Sequence, residues 1–311
     1  MSNRLRTAAL IISMLVVRPA LSAEQTTPGP LPPLTEPPTH EVLTGKFVWG
    51  DLFTSDVELS RAFYERLFGW QWVVISEPPR SYGMLYAEGI PVAGIVHRAP
   101  ITGTAGYGRW VHYVSVEDVS AAQQLTRRRG GRVLLARQQV LDRGEFAVVA
   151  DPDSAIFGLM RSSSGDPGDY RAAVGEWMWH QLFTRNPATA AGFYKSLVGY
   201  SASDRPDSHN IVDLVLTSTG YARASIGALP ENSKASPTWV GFIRVADVAA
   251  IIAKVRDLGG EVLYQSVVES SDLAIIADPN GATLGLLRWD YREPEHVLDP
   301  ESPDPIVAAQ R

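Results

Sequence analysis

The stretch FVWGDLFTSDVELSRAFYERLFGW, residues 47–70, is followed much later by a second version of itself, WMWHQLFTRNPATAAGFYKSLVGY, residues 177–200. Each version starts with alternating residues rich in aromatic side chains, which is typical of a strand. Apolar residues at helical spacing follow, with Ser55 or Asp56 as the N-cap of the first helix and Gly69 at its left-handed end. The chain therefore contains a strand-helix unit twice.

Two further blocks recur in the same order. WVHYVSVEDVSAAQQLTRRRGGRVL, residues 110–134, corresponds to WVGFIRVADVAAIIAKVRDLGGEVL, residues 239–263. AVVADPDSAIFGLMR, residues 147–161, corresponds to AIIADPNGATLGLLR, residues 274–288. Because the blocks are separated by well over 100 residues, the repeat indicates a duplicated domain and excludes a short-period solenoid. The polar segment 162–175 is the predicted linker between the two copies.

Each half divides once more into a strand, a helix and three strands. After the first helix, short strands are expected at 82–87 and 91–96, and the pattern starts again at residues 110–116. Asp118 is the expected cap of the second helix, and the Gly-Gly pair at 130–131 ends it. The sequence thus predicts an α+β fold made of four βαβββ modules.

Composition limits the class of protein. The chain has 311 residues, of which 45% are hydrophobic and 20% charged, and this composition predicts a globular protein of about two domains. Its formal net charge is -6, and an acidic chain is poorly suited to bind nucleic acid. The chain contains no cysteine, which excludes disulfides and thiolate metal sites.

The N-terminal 23 residues have the pattern of a secretory signal peptide. Arg4 and Arg6 precede the apolar run 8–17, and Ala23 provides a small residue for cleavage. The sequence therefore predicts a periplasmic or secreted protein without a transmembrane segment once residues 1–23 are removed. An uncleaved membrane anchor is the alternative.

Two segments next to the repeats are rich in proline. Residues 24–45 contain PGPLPPLTEPPT and predict an extended linker that lies outside the fold. Residues 290–311 are acidic as well as Pro-rich and predict an irregular tail.

Three recurring motifs together resemble the vicinal oxygen chelate superfamily of glyoxalase I, extradiol dioxygenases and bleomycin-resistance proteins. They are the D-x6-FY-x4-G pattern of residues 56–69, the Gly-Gly helix end and the DP-[DN]-[SG] hairpin. The resemblance covers residues 46–161 and 176–289. It implies two tandem glyoxalase-like domains, each with a curved mixed sheet that forms a cup and with helices on its outer face. The opening WVHYVSVED is most similar to a secreted-antigen-like branch whose chemistry is generally unassigned.

The resemblance also implies where a metal would bind, because the family takes His, Gln and Glu ligands from the first and last strands of each module. In this chain the single positions carry tryptophan, valine and glycine, and the two ranges contain no His, Gln or carboxylate. A tryptophan indole has no lone pair for a cation. We therefore expect neither the family's metal site nor another cofactor. The positions are Trp49, 92–96, Val111 and Gly158 in the first half and Trp179, 222–228, Val240 and Gly285 in the second.

Aromatic and polar residues alternate onto the inner face of the predicted strands and are the candidate ligand-binding residues. Cavities lined in this way suit small organic molecules, although the same rings are also consistent with a filled core. His112 and His180 have the opposite parity and are predicted to be structural. The candidates are Trp49, Asp51, Phe53, Tyr113, Trp179, Gln181, Phe183, Phe242 and Arg244.

Three functions follow from these observations. The preferred one is an exported protein that binds or sequesters a small organic molecule without a metal. The second is a lyase or dioxygenase that uses Asp51 with an unorthodox metal, or a metal-free acid-base reaction. The third is an interaction module of the cell envelope.

Overall fold

The computed structural model describes residues 31–76, 82–99, 107–204, 214–231, 233–266 and 272–291. The predicted signal peptide and nearly all of the predicted C-terminal tail lie outside these ranges. Within them, no helix combines the length and the apolar character needed to cross a bilayer.

The four predicted modules are present, two in each domain, and each has the order strand, helix, three strands. The first domain contains β1 (Phe47–Thr54), α1 (Val57–Phe68), β2 (Gln71–Ser76), β3 (Tyr82–Ala87), β4 (Ile90–His97), β5 (Gly108–Ser115), α2 (Val119–Arg128), β6 (Arg132–Val140), β7 (Gly144–Ala150) and β8 (Ile156–Ser162). The second contains β9 (Trp177–Thr184), α3 (Pro187–Val198), β10 (Ser201–Asp204), β11 (Leu214–Ser218), β12 (Tyr221–Ala228), β13 (Thr238–Arg244), α4 (Val248–Asp257), β14 (Glu261–Gln265), β15 (Leu273–Ala277) and β16 (Thr283–Leu287).

Each domain is one eight-stranded sheet. The first sheet has the order β2-β3-β4-β1-β5-β8-β7-β6, and the second repeats it as β10-β11-β12-β9-β13-β16-β15-β14. The two modules of a domain join where β1 pairs antiparallel with β5, while β1 pairs parallel with β4. The predicted mixed sheets and tandem domains are therefore confirmed.

The helices begin and end at residues that the sequence identifies. The side chain of Asp56 accepts a hydrogen bond from the Leu59 amide, and Asn186 caps α3 in the same way, with Pro187 in the first turn. Gly69 ends α1 with a φ of 75°, a left-handed conformation that glycine adopts without a steric penalty.

The helices lie on one face of each sheet, and that face is covered by the other domain. One hydrophobic core contains Leu52 and Phe63 of the first domain together with Ile243 and Leu284 of the second. An equivalent core joins α2 and β8 to α3 and β12. The two domains therefore bury their helical faces against each other in shared cores.

A chain of buried hydrogen bonds explains why the FY and DP motifs occur together. The indole nitrogen of Trp110 donates to the hydroxyl of Tyr64 at 3.0 Å, and this hydroxyl donates to Oδ2 of Asp278 in the other domain at 3.2 Å. Ser60, one helical turn before Tyr64, also donates to Asp278. Tyr64 of the first domain is therefore hydrogen-bonded to the hairpin of the second domain.

The same chain occurs a second time with the roles of the domains exchanged. Trp239 donates to the Tyr194 hydroxyl at 2.7 Å, and Tyr194 donates to Asp151 at 3.0 Å. Burial raises the pKa of both tyrosines well above its usual range, and the neighbouring carboxylate raises it further. Both hydroxyls therefore remain protonated donors. We call these two arrangements the Trp-Tyr-Asp chains.

The proline-rich segment before β1 differs from the expectation that it lies outside the fold. Residues 31–45, here called the N-terminal arm, pack on the first sheet, where Leu34 is buried. The Thr35 amide donates to Oγ of Ser164 at 3.1 Å, and the Leu31 amide donates to the carbonyl of Leu141. The prediction that this segment lies outside the fold is therefore wrong. Leu34 packs against the apolar face of the first sheet, and the hydroxyls of Thr35 and Thr39 donate to backbone carbonyls of residues that follow β8.

Candidate functional site

The face of each sheet that points away from the helices carries the candidate ligand-binding residues. We call this face the first cup in the sheet of β1–β8 and the second cup in the sheet of β9–β16. Strand register aligns Asp51 with Gly94 and Val111, and Trp49 with Tyr113, which places these side chains on the first cup. Register aligns Gln181 with Ser225 on the second cup.

Asp51 lies at the centre of a buried hydrogen-bond network in the first cup. Its Oδ1 accepts from the indole nitrogen of Trp49 at 2.8 Å and from the hydroxyl of Tyr82 at 3.0 Å. Burial raises the pKa of Asp51, while hydrogen bonds from Trp49, Tyr82 and Tyr113 lower it. With its oxygens used by these donors, Asp51 anchors the side chains of the cup.

The positions of the family's metal ligands do not fit a metal in this chain. A Cβ added at Gly158 would lie 2.0 Å from the ring of Tyr113, and one added at Gly285 would lie 2.2 Å from the ring of Phe242. A Cβ at Gly94 would meet the Tyr82 hydroxyl at 2.1 Å. Side chains of the cups thus occupy the space that a carboxylate ligand would need.

The described residues of the cups also provide too few side chains that could coordinate a metal ion. In the part of the chain that the structure describes, no three His, Cys, Asp or Glu side chains are grouped closely enough to hold a metal ion. Catalytic and structural metal sites usually take three or more protein ligands. The donor set of both cups therefore does not match the metal that the family implies.

The first cup is largely filled by its own side chains and by the N-terminal arm. Leu34 of the arm joins Trp49, Met84 and Tyr113 in one hydrophobic cluster, with Phe53 packed against it. Only 8% of Trp49 is exposed. The aromatic residues of the first cup therefore form mostly a packed core, which is the alternative to an open ligand cavity.

Sequence reasoning missed a second charged residue in the first cup. Arg143 is 2% exposed, and its guanidinium lies over the ring of Trp49, 4.4 Å from the ring centroid. Tyr82, which donates to Asp51, was also missed. The position of Tyr82 at the start of β3, with inward parity, could have identified it, but no periodic pattern marks Arg143 because it lies in a turn.

The second cup is less completely buried. Its apolar cluster contains Phe242, with Trp179 and Phe183 packed against it, and includes no residue of the arm. Trp179 and Phe183 are half-buried, whereas Gln181 and its register partner Ser225 on β12 are buried. The Trp179 indole nitrogen donates to Oγ of Ser225 at 2.8 Å and thereby orients the ring. The second cup thus combines partly exposed aromatic rings with buried polar side chains.

Arg244, the remaining candidate, has other partners. Its Nε donates to the carbonyl of Trp289 at 2.9 Å, its Nη1 donates to the carbonyl of Ala172 at 3.0 Å, and its guanidinium stacks on Tyr291. These contacts hold the linker and the end of the second domain together. Arg244 therefore lies at the end of β13, where its donors are used for structure.

The two histidines lie between the domains, as their parity predicts. Nε2 of His180 and Nδ1 of His112 are 3.2 Å apart, and the ring of Phe47 stacks on His180 at a centroid distance of 4.2 Å. Burial lowers the pKa of His112 to about 3 and that of His180 well below its usual value. Both imidazoles are therefore neutral and structural.

Sequence comparisons agree with this fold. Residues 46–157 match the model of the Glyoxalase/Bleomycin resistance protein/Dioxygenase superfamily. The anthracycline biosynthesis protein DauV of Streptomyces sp. (strain C5) is 29% identical over 251 residues, which cover 76% of this chain and 91% of that protein. The putative glyoxylase CFP32 of Mycobacterium bovis (strain ATCC BAA-935 / AF2122/97) is 29% identical over 119 residues, or 38% of this chain and 44% of that protein.

Solved structures share the architecture at low sequence identity. The Mn(II)-bound glyoxalase from Novosphingobium aromaticivorans aligns with a TM-score of 0.54 at 15% identity, over 79% of this chain and 83% of that one. Homoprotocatechuate 2,3-dioxygenase from Brevibacterium fuscum also reaches 0.54 at 15% identity, over 87% and 86% of the two chains. At this identity the likeness concerns the fold alone. Residues 46–157 of the first domain thus match the glyoxalase/bleomycin resistance protein/dioxygenase superfamily model, and the second domain repeats the strand order of the first.

Proposed function

We propose that the protein binds a small, flat organic molecule in the second cup without a metal held by the protein. The observation that carries this proposal is the half-buried pair Trp179 and Phe183, which lie on the same face of β9 on either side of the buried Gln181, with the buried Ser225 opposite Gln181 on β12. Apolar walls with a few fixed polar groups are the usual lining of sites for small organic ligands.

The contrast between the two cups supports this choice. Trp49, the counterpart of Trp179, is buried beneath Arg143 and donates to a carboxylate. Trp179 donates to a neutral hydroxyl and remains half-buried. A ligand that covers Trp179 and Phe183 would therefore remove apolar surface from water, a gain of about 25 cal/mol for each Å².

The comparisons suggest which compounds to test first. Two Streptomyces relatives are named as anthracycline biosynthesis proteins, and we therefore place anthracycline-type compounds in the ligand panel. We also propose that the protein acts outside the cytoplasm, because Arg4 and Arg6 precede an apolar run of signal-peptide length.

A matched pair of variants tests the site. Phe183→Ala in the second cup is expected to weaken the binding of an aromatic ligand from the panel by about tenfold or more, since an aromatic contact contributes about 1.5–3 kcal/mol. Phe53→Ala, at the corresponding position of the first cup, is expected to leave the affinity within about twofold. Isothermal titration calorimetry measures both affinities in the presence of a chelator.

Three results would contradict the proposal. The first is that no compound of the panel binds the wild-type chain. The second is that Phe53→Ala lowers the affinity as much as Phe183→Ala, because the ligand would then not distinguish the cups. The third is that a chelator abolishes binding, because the proposed site works without a metal.

A further inference from the structure

The turn between β6 and β7 directs an arginine into the first cup. Asp142 and Gly144 have left-handed backbones with φ of 67° and 111°, and Arg143 lies between them. A Cβ at Gly144 would come within 2.2 Å of the carbonyl oxygen of Arg161, so only glycine fits there. This geometry turns Arg143 inward, while Leu141 is 68% exposed.

The guanidinium of Arg143 is buried with most of its hydrogen-bonding capacity unused. Among the residues that the structure describes, neither Nε nor Nη1 has a hydrogen-bond partner. Within the same ranges, Nη2 contacts the thioether sulfur of Met84 at 3.8 Å, and this sulfur is a weak acceptor. The ring of Trp49 covers one face of the group and supplies no acceptor in its plane.

The guanidinium of Arg143 also forms no ion pair within 4 Å among the described residues. The charges of Arg143 and Asp51 interact, but Oδ1 of Asp51 accepts its hydrogen bonds from Trp49 and Tyr82. A buried guanidinium whose N–H groups have no acceptor is costly, so the site favours an added acceptor, and an anion most of all.

We propose that the first cup binds a small carboxylate whose oxygens accept hydrogen bonds from Arg143. Charge-assisted hydrogen bonds from a guanidinium to a carboxylate are the strong kind, and arginine is suited to this anion. Leu34, Met84 and Phe146 line the same cup and favour a carboxylate with an apolar body. This site is separate from the one proposed in the second cup. Because Leu34 belongs to the N-terminal arm, the arm has to move aside for the carboxylate to enter.

Benzoate is the probe, and its neutral analogue benzamide is the control for charge. Calorimetric titration of the full chain is expected to show saturable binding of benzoate and at least about tenfold weaker binding of benzamide. Arg143→Met, which keeps an apolar stem of similar length, is expected to weaken benzoate binding by about tenfold or more. Arg137→Met, on the neighbouring strand, is expected to retain wild-type affinity.

Further variants separate this site from a folding defect and from the second cup. Arg143→Lys retains a cation without the planar fork, and its benzoate affinity is expected to fall between those of the wild type and Arg143→Met. Because benzoate is also a small flat molecule of the kind proposed for the second cup, each titration is repeated in the Phe183→Ala background, where the remaining binding reports on the first cup. The inference is overturned if no benzoate binding remains in that background, if benzamide binds equally well there, or if Arg143→Met retains that binding.

Discussion

Replacement of Asp278 by alanine is expected to lower the free energy of unfolding by about 3–5 kcal/mol, because several buried donors lose their acceptor at once. Asp278 accepts from Tyr64 and Ser60 of the first domain and from the amides of Asn280 and Ala282 in its own hairpin. The substitution therefore removes a link between the domains as well as the cap of the turn. Urea unfolding followed by circular dichroism measures the change.

An exposed aspartate of the same domain provides the control. Asp272 pairs with Arg288, and the side chains of both are about half-exposed. Because exposed ion pairs contribute little, Asp272→Ala is expected to change the free energy of unfolding by less than about 1 kcal/mol. If Asp278→Ala were as mild as Asp272→Ala, the Trp-Tyr-Asp chains would not hold the two domains together.

Acidification is expected to destabilise the folded chain from about pH 6.5 downward through the histidine pair. In the unfolded chain His112 binds a proton near its ordinary pKa of 6.5, whereas burial lowers its pKa to about 3 in the folded chain. The unfolded state thus binds more protons between these values, and stability is complete above pH 6.5 and is lost as the pH falls toward 3. The loss is about 1.4 kcal/mol for each pH unit from His112 alone.

Two variants isolate this contribution from that of the buried carboxyl groups. His112→Gln keeps a polar group beside His180 but does not titrate, and it is expected to reduce the slope of unfolding free energy against pH between 6 and 4.5 by about 1 kcal/mol per unit. His97→Gln, which replaces an exposed histidine, is expected to leave the slope unchanged. An identical slope in the wild type and in His112→Gln would contradict the assignment.

The sequence predicts the architecture because its signals are local and repeated. Asp56 and Gly69 mark the ends of α1 by the chemistry of capping, and the DP hairpins mark the turns before β8 and β16. The inward face of β1 follows from simple alternation, which places Trp49 and Asp51 correctly. These features depend on neighbours along the chain, so a pattern reveals them.

Features that depend on distant contacts were not predictable in this way. The FY and DP motifs are each recognisable, but the bond between Tyr64 and Asp278 joins residues far apart in sequence. Arg143 turns inward because of the backbone angles on either side of it, which the residue order alone does not specify. Leu34 appears in a proline-rich run typical of a linker, and only the apolar face of the first sheet explains its burial.

The metal content of the protein, purified without a chelator and measured by mass spectrometry, tests the central claim most directly. Tyr113 and Phe242 lie over the glycines at two of the family's ligand positions, and the cups lack a sufficient set of donors among the described residues. We therefore expect far less than one divalent ion per chain while aromatic ligands still bind the second cup. One tightly held divalent ion per chain, coordinated within either cup and required for ligand binding, would contradict the account.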